Sequence, residues 1–424
     1  MDYYAIDFGT SNSLINFISS EGEITPVPME GNDNFILRSL IFTPEHKEWY
    51  FGESAIIKYT ENDGEGRFLR SIKKFLPASS YTGTVIHNKN YSIESIVALF
   101  LKEMKEKADK FIGKNITNVI MGRPAKYSLD QESDLLAENR MRKACALAGF
   151  TTIHFCPEPL AAGLNFSQGN TKKETILIAD FGGGTSDFTL MQLHEGKYSQ
   201  DDILGISGIF KAGDTLDSEM MLKFISKNFG ADYEFKLPMS DKILRFPRAL
   251  LRKICSPAHI THLREKETWN YLKEIHQFAN DEKSKKQLHQ LFALVEYQLG
   301  YTIFQEIENS KISICSTDAD PHLFRFSHGV INISENIYKE KYDFEMGSVV
   351  DDIIATMMDV FEQSNLKPSD VDKVVLTGGT AQFTLIKSRL KKIFGEEKLT
   401  EHNIYQSVVE GLSQYANFLK EQNK

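Results

Sequence analysis

The sequence has no run of about 18 apolar residues, the minimum a helix needs to cross a bilayer. Nor has it an excess of positive charge. Its 49 Lys and Arg stand against 58 Asp and Glu, for a net charge of −9. Such a chain lacks the basic footprint that nonspecific nucleic-acid binding requires. Cysteine is scarce: Cys145, Cys156, Cys255 and Cys315 are widely scattered, with no close pair at zinc-ligand spacing and too few for a disulfide scaffold. They are expected to be reduced core thiols. His259 and His262 lack the helical i,i+4 metal spacing and have no third ligand nearby, so zinc is not expected there. The start, MDYYAIDFGT, carries no basic leader and no apolar stretch of signal length. No low-complexity linker interrupts the chain. These absences predict a cytoplasmic protein with neither membrane nor nucleic acid as a partner.

What is present is alternation. Tyr3–Ile6 reads as a strand, residues 7–13 as a small-residue turn, and Leu14–Ile18 as the returning strand. The pattern recurs with Ile176–Ala179, a turn over residues 180–186, and Asp187–Leu193. Asp-Phe-Gly opens both turns, as Asp7-Phe8-Gly9 and Asp180-Phe181-Gly182, so a duplicated supersecondary unit is the simplest reading. Apolar residues at helical spacing predict a helix over Ser92–Phe111, with Ser92 placed to cap it. Asp130–Ala148, Asp214–Phe229, Gly347–Gln363, Phe383–Phe394 and Gln406–Leu419 read likewise as helices. Asn118–Met121, Thr152–Phe155 and Val374–Thr377 read as strands. From about Leu237 to Lys311 the chain reads as predominantly helical. Its ladder Leu288, Leu291, Leu294, Val295, Leu299, Ile303 and Ile307 is read as core rather than partner surface. Strands alternating with helices imply an α/β architecture, and the length suggests two to four domains.

Three glycine turns suggest chemistry. A polyphosphate needs backbone N–H groups at close range, which glycine turns supply. Gly9-Thr10-Ser11 is the first such turn, Gly182-Gly183-Gly184-Thr185 the second, and Gly378-Gly379-Thr380, between a strand and a helix, the third. Any one of them is equally an ordinary tight connection. Three in one chain, two built on the same hairpin, point to a phosphate cradle. Magnesium takes oxygen ligands and keeps several of its waters, so Asp7 and Asp180, at matching places in the repeats, could hold the hydrated ion between them. The alternative is that each aspartate caps its own turn.

The turns resemble the phosphate loops of the superfamily that joins sugar kinases, heat-shock proteins and actin. Further segments select the DnaK-type 70-kilodalton heat-shock chaperones within it. Residues 6–13, Ile-Asp-Phe-Gly-Thr-Ser-Asn-Ser, are similar to their first phosphate loop. Residues 68–76 resemble the segment bearing their catalytic lysine, which falls on Lys73, and residues 157–162 resemble the element bearing their catalytic glutamate, Glu158. Asp180 to Asp187 is similar to the second loop, Ala212-Gly213-Asp214 with Asp217 to a Gly-Gly-acid stretch, and residues 376–380 to the adenosine loop. The motifs keep the family order from residue 6 to Gly411.

The resemblance implies an actin-like ATPase fold, with two duplicated ribonuclease-H-like lobes around a nucleotide cleft and smaller α+β and mainly helical insertions. It implies lobe I over 1–172 with an insertion at about 39–91. Lobe II follows over 173–404 with a largely helical insertion at about 214–330, and a C-terminal helix over 405–424 returns to lobe I. ATP or ADP with water-mediated Mg²⁺ would be the cofactors, held at Asp7 and Asp180. Gly9, Thr10, Ser11, Asn12, Gly182, Gly183, Gly184, Thr185, Gly213, Gly378 and Gly379 would bind the nucleotide. Lys73, Glu158, Asp187 and Thr185 would be catalytic. On residues alone, Lys73 is equally a solvated lysine in the basic run Arg67, Arg70, Lys73, Lys74.

The adenine side departs from the pattern. Glu308, Lys311, Ile312 and Cys315 fall at i, i+3, i+4 and i+7 on one helix face. Glu308 and Lys311 match the family's ribose-binding pair, or are an ordinary charge pair on an exposed helix. Ile312 stands where the family has an arginine that stacks on adenine, Cys315 replaces a serine, and Gln382 replaces the second stacking arginine. Both cation–π partners are therefore missing. The chain also ends at Lys424, shortly past Gly411, which predicts that the peptide-binding module of the chaperones is absent; with the helix bearing Leu299, Gly300, Glu308 and Lys311, it looks most like the YegD-like branch.

Four functions remain open at this point. The first is a chaperone-like, Mg-dependent ATPase whose client or co-chaperone is another protein. The others are a non-hydrolysing nucleotide-binding module, a small-molecule kinase of the same superfold, and an actin-like filament protein.

Overall fold

Both Asp-Phe-Gly turns close antiparallel hairpins of matching geometry. In the first, Tyr3–Phe8 pairs with Asn12–Ile18, Phe8 opposite Ser13 and Asp7 opposite Leu14. In the second, Glu174–Phe181 pairs with Ser186–Leu193, Phe181 opposite Ser186 and Asp180 opposite Asp187. The central strands are covered on both faces, which is why they read as continuous apolar runs rather than alternating ones. The computed structural model describes the chain except residues 32, 46–47, 63–64, 129, 167–172, 194–201, 237–241, 258, 280, 318, 402–405 and 423–424. The expected boundaries at 172 and at 404/405 abut or fall on residues outside that set, as do Leu237 and the last two residues of the polar tail.

Each hairpin grows into a sheet of the same order. In the first sheet, Ile24–Pro26 joins the return strand antiparallel, while Asn118–Arg123 and then Thr152–Pro157 join the leading strand in parallel. In the second, Ile203–Ile209 joins the return strand antiparallel, while Lys373–Thr377 and Leu399–Glu401 join in parallel. The helices repeat too. Ile93–Ile112, Gln131–Leu147 and Glu158–Phe166 alternate with the parallel strands of the first half. Lys339–Ser364, Thr384–Phe394 and Ser407–Gln422 do the same in the second. This mixed α/β architecture, two sheets of one order each flanked by helices, agrees with the actin-like ATPase fold that the resemblance implies.

Local signals set the helix ends. The Ser92 hydroxyl accepts from the Ser95 amide at 3.2 Å, and Gly113 closes that helix at φ 76°. Asp130 caps the next helix through Ser133 at 2.9 Å.

Packing divides the chain into two compact units, one of Met1–Ala212, Ile353–Ala381 and Ile386–Lys424, the other of Gly213–Asp352 with Gln382–Leu385. Two apolar cores fill the first unit. One lies between the first sheet, the helices Ile93–Ile112 and Gln131–Leu147, and a small sheet of Leu40–Thr43, Tyr50–Phe51 and Arg67–Arg70. The other joins residues of both sheets around the helices Glu158–Phe166 and Ser407–Gln422. These two helices cross so closely that a Cβ on Gly411 would lie 1.7 Å from the Ala161 carbonyl oxygen. Asn165 donates to Glu410 at 2.8 Å and accepts from Gln414 at 3.0 Å, and Asn16 of the first hairpin donates to Ser413 at 3.1 Å. The outer strand Ile203–Ile209 is closed by Gln363, whose side-chain amide accepts from the Ile206 N–H at 3.0 Å and donates to its carbonyl at 2.9 Å.

In the second unit, the expected helix over Asp214–Phe229 is α-helical only for Gly213–Met220. It passes through a π turn, Met221–Ile225, and a 3-10 turn, Ser226–Phe229, where the Ser226 hydroxyl takes the Leu222 carbonyl at 2.7 Å. The following region holds the helices Arg248–Ile254, Lys266–His276, Glu282–Glu296 and Gly300–Ser316. It also holds a short hairpin of Glu234–Lys236 and Ile243–Arg245 that periodicity over three residues does not reveal. A second hairpin, His322–His328 with Ile331–Ile337, precedes Lys339–Ser364, a helix that starts eight residues before the expected Gly347. Every residue of the Leu288–Ile307 ladder is buried. The cysteines are free thiols, three of them buried. Among the described residues no helix is long and apolar enough to cross a membrane.

Candidate nucleotide site

The strand ends of both sheets open on one cavity, about 670 Å³ with its open, solvent-filled mouth included. Asp7, Gly9, Thr10, Ser11 and Asn12 line it from the first hairpin, Asp180, Gly182, Gly183 and Thr185 from the second, and Gly378 and Gly379 from the third turn. Lys73 and Glu158 complete it, with Thr377, Leu14 and Val408.

Each turn is held from behind. Ser39 donates its amide to the Ser11 carbonyl at 2.8 Å and its hydroxyl to the Gly9 carbonyl at 2.8 Å. A Cβ on Gly9 would lie 2.2 Å from the Asn12 carbonyl oxygen, so only glycine closes this turn. In the second turn Gly182 N–H donates to Thr185 O at 2.9 Å, and Thr380 donates to the Gly182 carbonyl at 2.8 Å. The third turn lies against the second: Gly378 sits at φ 79°, where a Cβ would meet Phe181 O at 2.2 Å and Asp180 Oδ1 at 2.9 Å. Thr377 donates to that same Asp180 oxygen at 2.9 Å. The two hairpin turns face each other. A Cβ on Gly184 would be 3.1 Å from Thr10 Cγ2 and 2.2 Å from Lys74 Cε, which places the Lys74 stem over Gly184.

Lys73 stands on a 3-10 turn, Ile72–Phe75, entered through Ser71 at φ 54°. Its ammonium pairs with Glu158 Oε1 at 2.8 Å, both side chains only 11% exposed. Glu158 begins the helix that follows the strand Thr152–Pro157, so the strand end fixes where its carboxylate starts. Glu158 contacts this ammonium, and Asp7, Asp180 and Asp187 feel it through space. The electrostatics follow. Burial pushes Asp7 up to about 8; Glu158 and Asp180 add to that rise, and Lys73 opposes it. Burial raises Asp180 to about 6, with Glu158 adding and the Thr377 hydrogen bond opposing. Burial lowers the Lys73 ammonium, but Glu158 and Asp7 more than offset it and hold its pKa above the usual value. A site that buries two aspartates and sets the charge of Glu158 beside them is arranged to receive a cation. Among the described residues no cluster of three or more His, Cys, Asp or Glu could hold a metal directly. Two hard carboxylates with spare negative charge and no direct cage fit an ion that keeps its water shell.

The other candidates fall elsewhere. Asp187 does not line the cavity. It lines a smaller depression of about 320 Å³ with Lys126, Ser128, Ser207 and Gly208, and Thr185 alone lines both. Burial, reinforced by Asp180, pushes Asp187 up to about 7, against a hydrogen bond from the Thr185 side chain. Gly213, Glu308, Lys311, Ile312, Cys315 and Gln382 all belong to the second unit. Within it Glu308, Lys311, Ile312 and Cys315 do share the helix Gly300–Ser316. The Lys311 ammonium pairs with Asp217 at 2.7 Å and reaches the Gly213 carbonyl at 3.5 Å. Burial lowers its pKa, and Asp217 and Glu308 more than restore it. Glu308 and Gln382 are exposed, and Ile312 is 57% exposed. The Thr384 hydroxyl donates to Cys315 Sγ at 3.8 Å. Sequence reasoning missed Ser39 and the place of Lys74. Ser39 sits in no motif; Lys74 was legible only as one charge in a basic run.

The sequence is similar to known proteins. The profile of the family described as Hsp70 protein matches residues 77–290 and 270–424. The chain is 24% identical over 395 residues to a chaperone protein DnaK of Mycoplasmopsis pulmonis, covering 92% of this chain and 54% of that protein. It is 22% identical over 417 residues to one of Thermosipho melanesiensis, covering 98% and 59%. With one of Nitrosopumilus maritimus it shares 24% over 396 residues, covering 92% and 52%. The chain thus spans between half and three-fifths of the length of these relatives.

Proposed function

This chain belongs to the Hsp70 family, and from that premise we propose that it is a chaperone-type ATPase module that binds ATP with hydrated Mg²⁺ and hydrolyses it to ADP and phosphate. One observation carries the reading: two duplicated glycine hairpins, a third glycine turn and the Lys73–Glu158 pair all line a single cavity with Asp7 and Asp180.

Phosphoryl transfer to water needs positioning and charge neutralisation more than covalent chemistry. The backbone amides of the Gly9–Asn12 and Gly182–Thr185 turns would take phosphate oxygens, and Thr10 and Thr185 hydroxyls would add donors. Magnesium, when bound, would neutralise charge on the outer phosphates, its waters accepted by Asp7 and Asp180. Lys73 would turn its ammonium to the γ-phosphate. Glu158, relieved of that partner, would orient the attacking water. Asp187 would act from behind Thr185, accepting its hydroxyl so that the threonine oxygen keeps its place. Partner proteins, whether clients or co-chaperones, and a cytoplasmic location belong to the same proposal.

A second reading is a nucleotide-binding module that does not hydrolyse. Ile312 and Gln382, at the places where the resemblance expects stacking arginines, favour it. The two are separated by measuring ATP binding and phosphate release for the wild type and Lys73→Ala. Binding with release that collapses in the variant supports hydrolysis. Tight binding without release in either protein supports the second reading.

A further inference from the structure

Lys73 can serve a γ-phosphate only if its turn is held still, and the turn itself is weakly built. A 3-10 turn of four residues has strained hydrogen bonds, and its last carbonyls lack partners within the turn. Where the chain leaves it, three carbonyls converge on one cation: that of Phe75, the turn's last residue, that of its cap Leu76, and that of Ala78 just beyond. Arg140, 8% exposed, donates from Nη1 to the carbonyls of Leu76 and Ala78 at 2.9 Å each and of Phe75 at 3.3 Å. It comes from the middle of the helix Gln131–Leu147, some 65 residues along the chain from the turn it grips. Among the described residues it has no carboxylate within ion-pair distance. Glu94, which pairs with Lys143 at 3.6 Å, feels the Arg140 charge only through space.

A buried guanidinium without a carboxylate is costly unless something needs it there. The carbonyl end of a helical turn carries partial negative charge, and a cation placed on it is the natural complement. Nη1 carries two N–H groups in the rigid plane of the guanidinium, so the short bonds to Leu76 and Ala78 take one each while the longer Phe75 contact shares a hydrogen, and that plane fixes their directions as a freely rotating ammonium does not. We propose that Arg140 is a positioning residue for the reaction, locking the Ile72–Phe75 turn so that the Lys73 ammonium stays on the line between Glu158 and the outer phosphate. The proposal rests on the hydrolytic reading of this site. Arg140 touches no reacting atom, and its effect passes through Lys73.

Arg140→Met and Arg140→Lys test this in the full chain. Melting temperature is recorded for each, so that a variant that fails to fold is recognised and Arg140→Lys, which keeps the charge but not the planar guanidinium, stands in for it. Phosphate release at saturating ATP should fall on the order of 10- to 100-fold in Arg140→Met, as expected for a misplacement of about 1 Å. ATP affinity should stay within about threefold, since binding rests on the glycine turns. In a Lys73→Ala background the Arg140 substitution should add nothing. Full additivity, or wild-type release in a folded Arg140→Met, overturns the proposal. The second readout needs no turnover: in ¹³C-lysine-labelled protein the Lys73 ε-methylene resonance should shift and broaden in both variants. If the wild type binds ATP without releasing phosphate, the hydrolytic reading fails by itself, and the Lys73 resonance decides Arg140 alone. An unmoved resonance then overturns the positioning role.

Discussion

Gly411→Ala discriminates sharply, because two physical effects of opposite sign meet there. Gly411 lies inside the helix Ser407–Gln422, where alanine is intrinsically favoured over glycine by about 1 kcal/mol. The new Cβ, however, would lie 1.7 Å from the carbonyl oxygen of Ala161, 2.3 Å from its carbonyl carbon and 2.9 Å from its Cα. All three are backbone atoms of the helix Glu158–Phe166, so no side chain can swing away. Restoring an ordinary contact requires the helices to part by more than an ångström, which opens the core around Leu160, Ala162, Val408 and Leu412. Overpacking of this kind costs about 1–3 kcal/mol and outweighs the propensity gain. Gly347 supplies the control. It too is inside a helix, Lys339–Ser364, but a Cβ there meets nothing within 4 Å. Gly347→Ala should raise the melting temperature by a degree or more, and Gly411→Ala should lower it by several, in parallel thermal scans with ATP absent. Because Glu158 heads the displaced helix, phosphate release should also fall in Gly411→Ala and stay unchanged in Gly347→Ala. A Gly411→Ala protein as stable as the wild type would refute the close crossing.

The raised aspartates predict a pH dependence. Asp7 rises from 3.8 to about 8 and Asp180 to about 6, so the folded state holds their protons more tightly than the unfolded one. That contribution is complete below about pH 4 and is lost as pH rises through 6 and then 8. Without metal the melting temperature should therefore fall between pH 5 and 8, and Mg·ATP should flatten the slope; an identical slope with and without Mg·ATP would count against a cation site. On the purine side, Ile312→Arg with Gln382→Arg should tighten ATP binding, measured by calorimetry, by roughly 2- to 30-fold, the range of a cation–π contact. Ile312 is 57% exposed, so stability should be unaffected, and an unchanged affinity would refute the alignment of this face with the family's stacking positions.

The duplicated hairpins were legible because Asp-Phe-Gly opens both and the flanking runs are apolar on both faces. The three glycine turns were legible because glycine there is compelled by close backbone approach, as at Gly9 and Gly378. The repeat of sheet order was not, because short outer strands such as Ile24–Pro26 and Leu399–Glu401 carry too few residues to show a period. Asp187 shows the limit on the chemical side. Spacing puts it opposite Asp180, but Gly208 lacks a side chain, whose Cβ would lie 2.7 Å from Asp187 Oδ1, and so leaves room for the Asp187 carboxylate in a separate depression. Arg140 shows the same limit at long range. Nothing in its own helix marks it, since its meaning lies in carbonyls contributed by a distant turn.

Among the described residues Ile203–Ile209 is an outer strand of the second sheet, and the amide of Gln363 on Ile206 imitates a next strand beside it. A sheet margin left open invites edge-to-edge pairing with any extended chain, including another copy of itself. Here one side chain stands in for a neighbour at the centre of that margin. Any polypeptide that zips onto Ile203–Ile209 must first evict it, giving up two hydrogen bonds before gaining its own, so Gln363 acts as a toll on strand addition and a guard against aggregation.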